Sequence, residues 1–96
     1  MGEARRLHLL LYDYVEDIVE RRAPHREAHL ALVARWHDEG RIVIAGATGA
    51  PPSGAAIAFA VDDPAEVDAF TDEDPYVAAG LVTDRRVVPW TVVAGG

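Results

Sequence analysis

The chain of 96 residues contains no cysteine and no lysine, two residue types on which much enzyme chemistry depends. Without cysteine there is no thiol nucleophile, no disulfide and no thiolate metal site. Without lysine there is no Schiff-base chemistry and no phosphate-binding lysine of a nucleotide loop. The single serine, Ser53, lies between Pro52 and Gly54, a setting that argues against a serine-hydrolase elbow. The side chains that remain for chemistry are histidines, carboxylates, tyrosines, threonines and arginines.

The charge balance is strongly acidic. Sixteen acidic residues against nine arginines give a formal net charge of −7. Proteins that bind nucleic acid usually carry a basic patch, so we expect no nucleic-acid partner. The negative charge also disfavours an anionic membrane surface, and no apolar run approaches the length of a membrane span. Since the start of the chain shows no signal-type segment, we expect a cytoplasmic protein without membrane association.

The hydrophobic pattern predicts the element order β-α-β-β-α-β within one domain over residues 1–96. The predicted strands are Leu7–Tyr14, Arg41–Ala47, Ala55–Val61 and Leu81–Val93. The predicted helices are Pro24–Glu39, a second from Asp63-Pro64 to about Thr71, a short one from Asp74-Pro75 to about Ala79, and a helical turn over Asp17–Arg22. This order predicts an α+β, ferredoxin-like fold: a four-stranded antiparallel sheet with its helices on one face.

The sheet face that the helices leave open is predicted to be apolar. The first and third strands carry apolar residues on both faces, whereas a wet antiparallel sheet alternates with polar ones. We therefore expect a homodimer through the open sheet face, although the many alanines there would also tolerate partial exposure. Pro89 removes one backbone donor from the last strand, which predicts an edge position or a bulge.

His29 is the sharpest candidate for chemistry. A helical wheel places His29 beside Val33 and Trp36, near the middle of the apolar stripe of the first long helix. A histidine at such a position is either a general acid or base at a cavity or a core histidine whose nitrogens are satisfied. The wheel does not decide between these two interpretations.

Asp74 is the second candidate. An aspartate before proline at a helix start is typical of an N-cap, whose carboxylate accepts backbone N–H bonds. Such a carboxylate can still orient an imidazole through its second oxygen, so the structural and functional interpretations are compatible.

Two further clusters carry weaker signals. His25 and His29 have the i, i+4 spacing that can chelate zinc, but no third ligand is marked, and we expect no metal and no cofactor. Arg21, Arg22 and Arg26 lie at the entrance to the first long helix. They would either bind an anionic substrate group or neutralise nearby acidic residues.

Several segments, in order, resemble the YCII-related (YciI-like) family. They are Arg26-Glu27-Ala28-His29-Leu30, His37-Asp38-Glu39-Gly40 with Ile42–Gly46, Asp72-Glu73-Asp74-Pro75-Tyr76-Val77, Ala79-Gly80-Leu81 and Val87–Val93. The resemblance covers nearly the whole chain. It implies a ferredoxin-like fold that dimerises sheet to sheet as a dimeric α/β barrel. It also implies a His-Asp active site, which corresponds here to His29 and Asp74, and lyase-like elimination chemistry.

Three functions follow as hypotheses. In the first, the protein is a small-molecule enzyme in which His29 moves a proton, Asp74 holds the imidazole, and Arg26 and Tyr76 contact the substrate. In the second, the same pocket holds a metabolite without turnover, as a binding or accessory module. In the third, the chain is only a dimerisation unit, which predicts no concave pocket at His29.

Overall fold

The computed structural model describes residues 4–95. Its elements in chain order are β1 (Arg5–Tyr14), α1 (Ile18–Arg21), a 3-10 turn (Ala23–His25), α2 (Arg26–Asp38), β2 (Ile42–Thr48), β3 (Gly54–Phe59), α3 (Ala65–Glu73), α4 (Pro75–Ala78) and β4 (Val82–Val92). The predicted order β-α-β-β-α-β is confirmed. No helix in this part of the chain is long and apolar enough to cross a membrane.

The four strands form one antiparallel sheet in the order β2-β3-β1-β4. The two central strands are thus the first and the third, and the α+β ferredoxin-like arrangement is as expected. Pro89 lies on β4, which is an edge strand, so its missing N–H interrupts no central pairing. The register irregularity of β4 lies instead opposite Asp13 and Tyr14.

Proline and glycine account for most helix boundaries. The long helix predicted from Pro24 begins as a 3-10 turn, and regular α-helix starts only at Arg26. It ends before Gly40, whose φ of 77° is a left-handed conformation that favours glycine. At α3, the Asp63 carboxylate accepts a hydrogen bond from the Ala65 N–H at 2.9 Å, as the capping pattern predicts.

The hydrophobic core lies between the helices and one face of the sheet. Buried side chains of α2 and α3 pack against Leu10 and Tyr12 of β1 and against Ile57 and Phe59 of β3. Gly54 begins β3 beside the backbone of Tyr12, where a Cβ would collide with the Tyr12 carbonyl oxygen. Glycine at this position therefore lets β3 pair closely with the end of β1 that carries the tyrosines.

We call the opposite side of the sheet the open face. The strand register places eight apolar residues there: Leu7, Leu9, Leu11, Ile44, Ala56, Ala58, Val88 and Trp90. Two of them are well exposed, Ile44 at 66% and Trp90 at 41%. Leu7 and Ala58 are buried by their neighbours, and Asp13 and Arg86 lie on the same face near the end of β1. Within residues 4–95 no helix covers the apolar part of this face.

Candidate functional site

The structure brings His29 and Asp74 together across 45 positions of sequence. Nδ1 of His29 lies 2.8 Å from Oδ1 of Asp74. His29 comes from the buried face of α2, and Asp74 is the residue between α3 and α4. Both are buried, with 7% of His29 and none of Asp74 exposed. The two residues that the sequence marks separately therefore form one hydrogen-bonded pair.

Asp74 is also the N-cap of α4. Its Oδ1 accepts the Tyr76 backbone N–H at 3.0 Å, and its own backbone is extended, with φ −73° and ψ 116°. The expected division of labour between its two oxygens is wrong in one detail. The oxygen that caps the helix is the same one that contacts the imidazole, because Oδ2 is engaged elsewhere. The short helix thus fixes the carboxylate at the position where it meets His29.

Tyr12 completes the surroundings of Asp74. Its hydroxyl donates to Oδ2 at 2.9 Å, and the side chain is 2% exposed. Burial, together with the Asp74 carboxylate, raises the pKa of Tyr12, so the phenol stays protonated and remains a donor. Because a backbone N–H and a phenol O–H already donate to this carboxylate, it acts as an acceptor toward Nδ1 of His29. The imidazole therefore carries its proton on Nδ1, and its other nitrogen, Nε2, is left as an acceptor.

Tyr12 and Tyr14 are site residues for which the local sequence predicts no role. A signal was present: they alternate with exposed Asp13 on β1 and so share the sheet face opposite to it. What the strand pattern alone did not provide was the position of α4 above that face.

Tyr76 packs against the imidazole, and Tyr14 packs against Tyr76. The Tyr76 ring stacks on His29 with centroids 3.8 Å apart and planes within 4° of parallel. Tyr14 meets Tyr76 edge to face at 5.8 Å. Burial raises the pKa of both phenols. The stack holds the imidazole in one plane while the Asp74 hydrogen bond fixes its rotation within that plane.

A cavity of about 220 Å³ adjoins the pair. His29, Tyr14 and Tyr76 line it together with two arginines, and apolar residues of α2, β2 and β3 form the rest of the wall. Nε2 of His29 has no hydrogen-bond partner among residues 4–95. An oriented imidazole whose acceptor nitrogen belongs to a cavity wall can exchange a proton with a small molecule bound there.

The arginine cluster divides in the structure. Arg22 and Arg26 line the cavity, whereas Arg21 forms an i, i+4 ion pair with Asp17 at 3.7 Å. Neutralisation of nearby acids thus describes Arg21 but not its two neighbours. Both residues predicted to contact substrate, Arg26 and Tyr76, are part of the cavity wall.

The remaining histidines lie apart from this site. His25 belongs to the 3-10 turn and His37 is exposed near the end of α2. Nδ1 of His8 lies 3.0 Å from the Val61 carbonyl oxygen. Because a carbonyl oxygen can only accept, His8 is the donor in this hydrogen bond. Among residues 4–95 no three histidine or carboxylate side chains converge in a way that could hold a metal ion.

Comparison with known proteins gives two concordant results. The family model of the YCII-related domain matches residues 7–91. Protein YciI of Escherichia coli O6:H1 (strain CFT073) and Protein YciI of Shigella flexneri are each 35% identical over 86 residues, covering 80% of this chain and 88% of the relative.

A solved structure has a similar fold. It is 5-chloro-2-hydroxyhydroquinone dehydrochlorinase (TftG) of Burkholderia phenoliruptrix AC1100, in complex with 2,5-dihydroxybenzoquinone. The TM-score is 0.74 with 23% identity, over 88% of this chain and 92% of that one. This similarity concerns the fold alone. Membership of the family is shown by the family model and the two relatives. The chain belongs to the YCII-related family.

Proposed function

We propose that this protein is a small-molecule enzyme that uses His29 as a general acid and base in elimination or isomerisation chemistry. The observation that carries the proposal is the hydrogen bond of 2.8 Å between Nδ1 of His29 and Asp74. The imidazole lines a cavity, and its Nε2 has no hydrogen-bond partner among the residues that the structure describes. A core histidine with both nitrogens satisfied would not need a cavity. A dimerisation unit would need neither the cavity nor the pair.

The proposed chemistry begins with proton removal. Nε2 of His29 takes a proton from a carbon of the bound substrate, and the imidazole becomes an imidazolium. Asp74 stabilises that new positive charge through Nδ1, and Tyr12 and the Tyr76 N–H hold the carboxylate in place. The electron pair left on the carbon expels a leaving group or moves into an adjacent carbonyl group. The imidazolium then returns its proton to the leaving group or to another atom of the product.

The reaction class agrees with the side chains available. The chain has no cysteine, no lysine and one loop serine, so a covalent intermediate on a strong nucleophile is not expected. The structurally similar protein is named as a dehydrochlorinase, and dehydrochlorination is an elimination reaction. Arg26 and Tyr76 are proposed to contact the substrate from the cavity wall. We propose no metal and no cofactor for this reaction.

The test is a turnover assay with a matched pair of histidine variants. Purified protein is incubated with 5-chloro-2-hydroxyhydroquinone and with a panel of enolisable cyclic ketones in D₂O. Chloride release and deuterium incorporation are then followed by ion chromatography and NMR. His29→Gln should lower the rate about 10²–10⁴-fold, the usual contribution of a general acid or base. His37→Gln, on the exposed part of the same helix, should leave the rate unchanged.

Two results would count against this function. Equal rates for wild type and His29→Gln would remove His29 from the chemistry. Saturable binding of panel compounds without any exchange or chloride release would favour the second hypothesis, a metabolite-binding module.

We further propose that the open face mediates a homodimer. Its eight apolar residues have no covering element within residues 4–95, and Ile44 and Trp90 are too exposed for an apolar face in water. Sedimentation of the wild type should give a dimer, and Ile44→Glu should give a folded monomer. Val19→Glu, which places the same charge on the exposed side of α1, should remain dimeric; a monomeric wild type would refute the proposal.

A further inference from the structure

The two cavity arginines carry a further inference about the kind of substrate. Arg22 lies at the end of α1 and Arg26 at the start of α2, one helical turn apart along the chain. Neither guanidinium forms an ion pair or a hydrogen bond with any residue in 4–95. By contrast, Arg21, Arg35 and Arg41 pair with Asp17, Glu73 and Glu39.

What distinguishes these two arginines is the cavity that they line. With sixteen carboxylates for nine arginines, unpaired guanidiniums are not forced by composition. Among residues 4–95 no carboxylate contributes to the lining of the cavity, and Asp74 lies behind His29 with no exposed surface. The cavity is therefore a local site of positive charge in a molecule whose net charge is −7.

The two charges also act on the aromatic wall. Burial raises the pKa of Tyr76, and the positive charges of Arg22 and Arg26 partly offset that rise. Both guanidiniums are thus within electrostatic reach of the ring that stacks on His29. The wall also contains apolar side chains, among them Leu30, Val33 and Ile57.

We propose that the cavity binds a small planar oxyanion, whose negative oxygens pair with Arg22 and Arg26 while its apolar body lies against Leu30, Val33 and Ile57. Two guanidiniums offer bidentate hydrogen bonds that suit a carboxylate or a ring oxyanion such as a phenolate or an enolate. This inference rests on the proposed function for its site, and it specifies the substrate class. In this proposal the arginines hold the anionic group, and an uncharged C–H bond of the substrate is left for His29.

The experiment measures ligand binding rather than turnover. Benzoate serves as the carboxylate probe, 4-nitrophenolate as the ring-oxyanion probe, and benzamide as a neutral compound of nearly the same shape as benzoate. Each is titrated into ¹⁵N-labelled wild-type protein, and the amide signals of His29, Ala45 and Tyr76 are followed. At least one anion should bind saturably, about tenfold or more tighter than benzamide, because charged hydrogen bonds are worth that much. The anion that binds tighter identifies the type of oxyanion.

Two double variants with the same loss of charge separate the site from general electrostatics. Arg22→Gln/Arg26→Gln should raise the dissociation constant of the anion about tenfold or more. Arg21→Gln/Arg35→Gln, which removes two arginines that are paired elsewhere, should change it less than about twofold. The inference is overturned if benzamide binds as tightly as the anions, if neither anion saturates, or if the two double variants behave alike.

His29→Gln distinguishes this inference from the proposed function. If it still binds the anion although wild type shows no turnover, the oxyanion site stands and the enzyme proposal fails. If wild type turns over neutral ketones but binds no anion, the enzyme proposal stands and the oxyanion site fails.

Discussion

Two aromatic clusters lie on the helix side of the sheet. One consists of phenylalanine and tryptophan rings, and the other consists of tyrosine and histidine rings. The core cluster consists of Trp36, Phe59 and Phe70, and the site cluster consists of Tyr12, Tyr14, Tyr76 and His29. In the core cluster all three pairs are edge to face, with centroids 5.2–5.8 Å apart. The site cluster contains every tyrosine of the chain and a parallel stack on the imidazole.

The difference between them is one of hydrogen-bonding capacity. The rings of the core cluster contribute area and shape, and the indole N–H of Trp36 has no hydrogen-bond partner within residues 4–95. In the site cluster two donors and an imidazole converge on one buried carboxylate, Asp74. Equal burial thus serves stability in one cluster and the orientation of reactive atoms in the other. Variants in the two clusters should accordingly fail in different ways.

The largest expected effect is on the stability of the core cluster. Phe70 is fully buried between Trp36 and Phe59, so Phe70→Ala should lower the free energy of unfolding by about 3–5 kcal/mol. Urea unfolding followed by circular dichroism measures it. Phe70→Leu, which conserves more volume, should cost less than about 1.5 kcal/mol and keep full activity per folded molecule. A loss of activity in Phe70→Leu beyond its unfolded fraction would show that the two clusters are not separable.

A smaller stability effect with a larger loss of activity is expected at Asp74. In Asp74→Asn a neutral amide replaces the carboxylate, and its oxygen is a weaker acceptor for Nδ1 of His29. Its NH₂ either opposes the two donors at Oδ1 or makes the Tyr12 hydroxyl accept instead of donate. Unfolding should become easier by about 1–3 kcal/mol, the usual cost of an unsatisfied buried group. The same variant should lose its preference for the proton on Nδ1, visible in the ¹⁵N shifts of His29.

Asp72→Asn is the matched control, because Asp72 is exposed two residues earlier. It should change stability by less than about 0.5 kcal/mol and leave the tautomer as in wild type. If Asp74→Asn retained both the Nδ1 tautomer and full turnover, Asp74 would be a helix cap and nothing more.

The same two clusters mark how far the sequence predicts this molecule. The fold can be predicted from the sequence because the patterns that indicate its helices and strands are local. Glycines and prolines mark the ends of the helices and strands, and apolar residues repeat with the period of a strand or a helix. Pro89 predicts an edge strand because it lacks a backbone N–H, and β4 is at the edge of the sheet. The wheel also identified the stripe of α2 that carries His29, Val33 and Trp36 into the interior.

The site is harder to predict from the sequence because it depends on contacts between distant segments of the chain. Helical periodicity marks His29 as a candidate and the Asp-Pro start of a helix marks Asp74, but only the family resemblance joins them into a pair. Tyr12 and Asp74 are 62 positions apart, and no spacing rule predicts that contact. Nor did local sequence separate Arg21 from Arg22, since one pairs with an acid and the other lines the cavity only through the packing of α1.

The smallest expected effect concerns alkaline pH, where the clusters differ because only one of them titrates. An unfolded tyrosine ionises near about pH 10, and burial, reinforced by Asp74, holds the pKa of Tyr12 above that value in the folded protein. The folded state therefore keeps a proton that the unfolded state loses, so the stabilisation from Tyr12 is complete below about pH 10 and is lost as the pH rises further.

With no lysine or cysteine in the chain, the tyrosines dominate this range. Tyr12→Phe should reduce the fall in unfolding free energy by up to about 1.4 kcal/mol per pH unit between about pH 10 and 12. Urea unfolding at several pH values measures the slope, and Phe70→Leu should only shift the whole curve in parallel with wild type. A parallel shift in Tyr12→Phe as well would mean that its hydroxyl is no more protected from ionisation in the folded state than in the unfolded one.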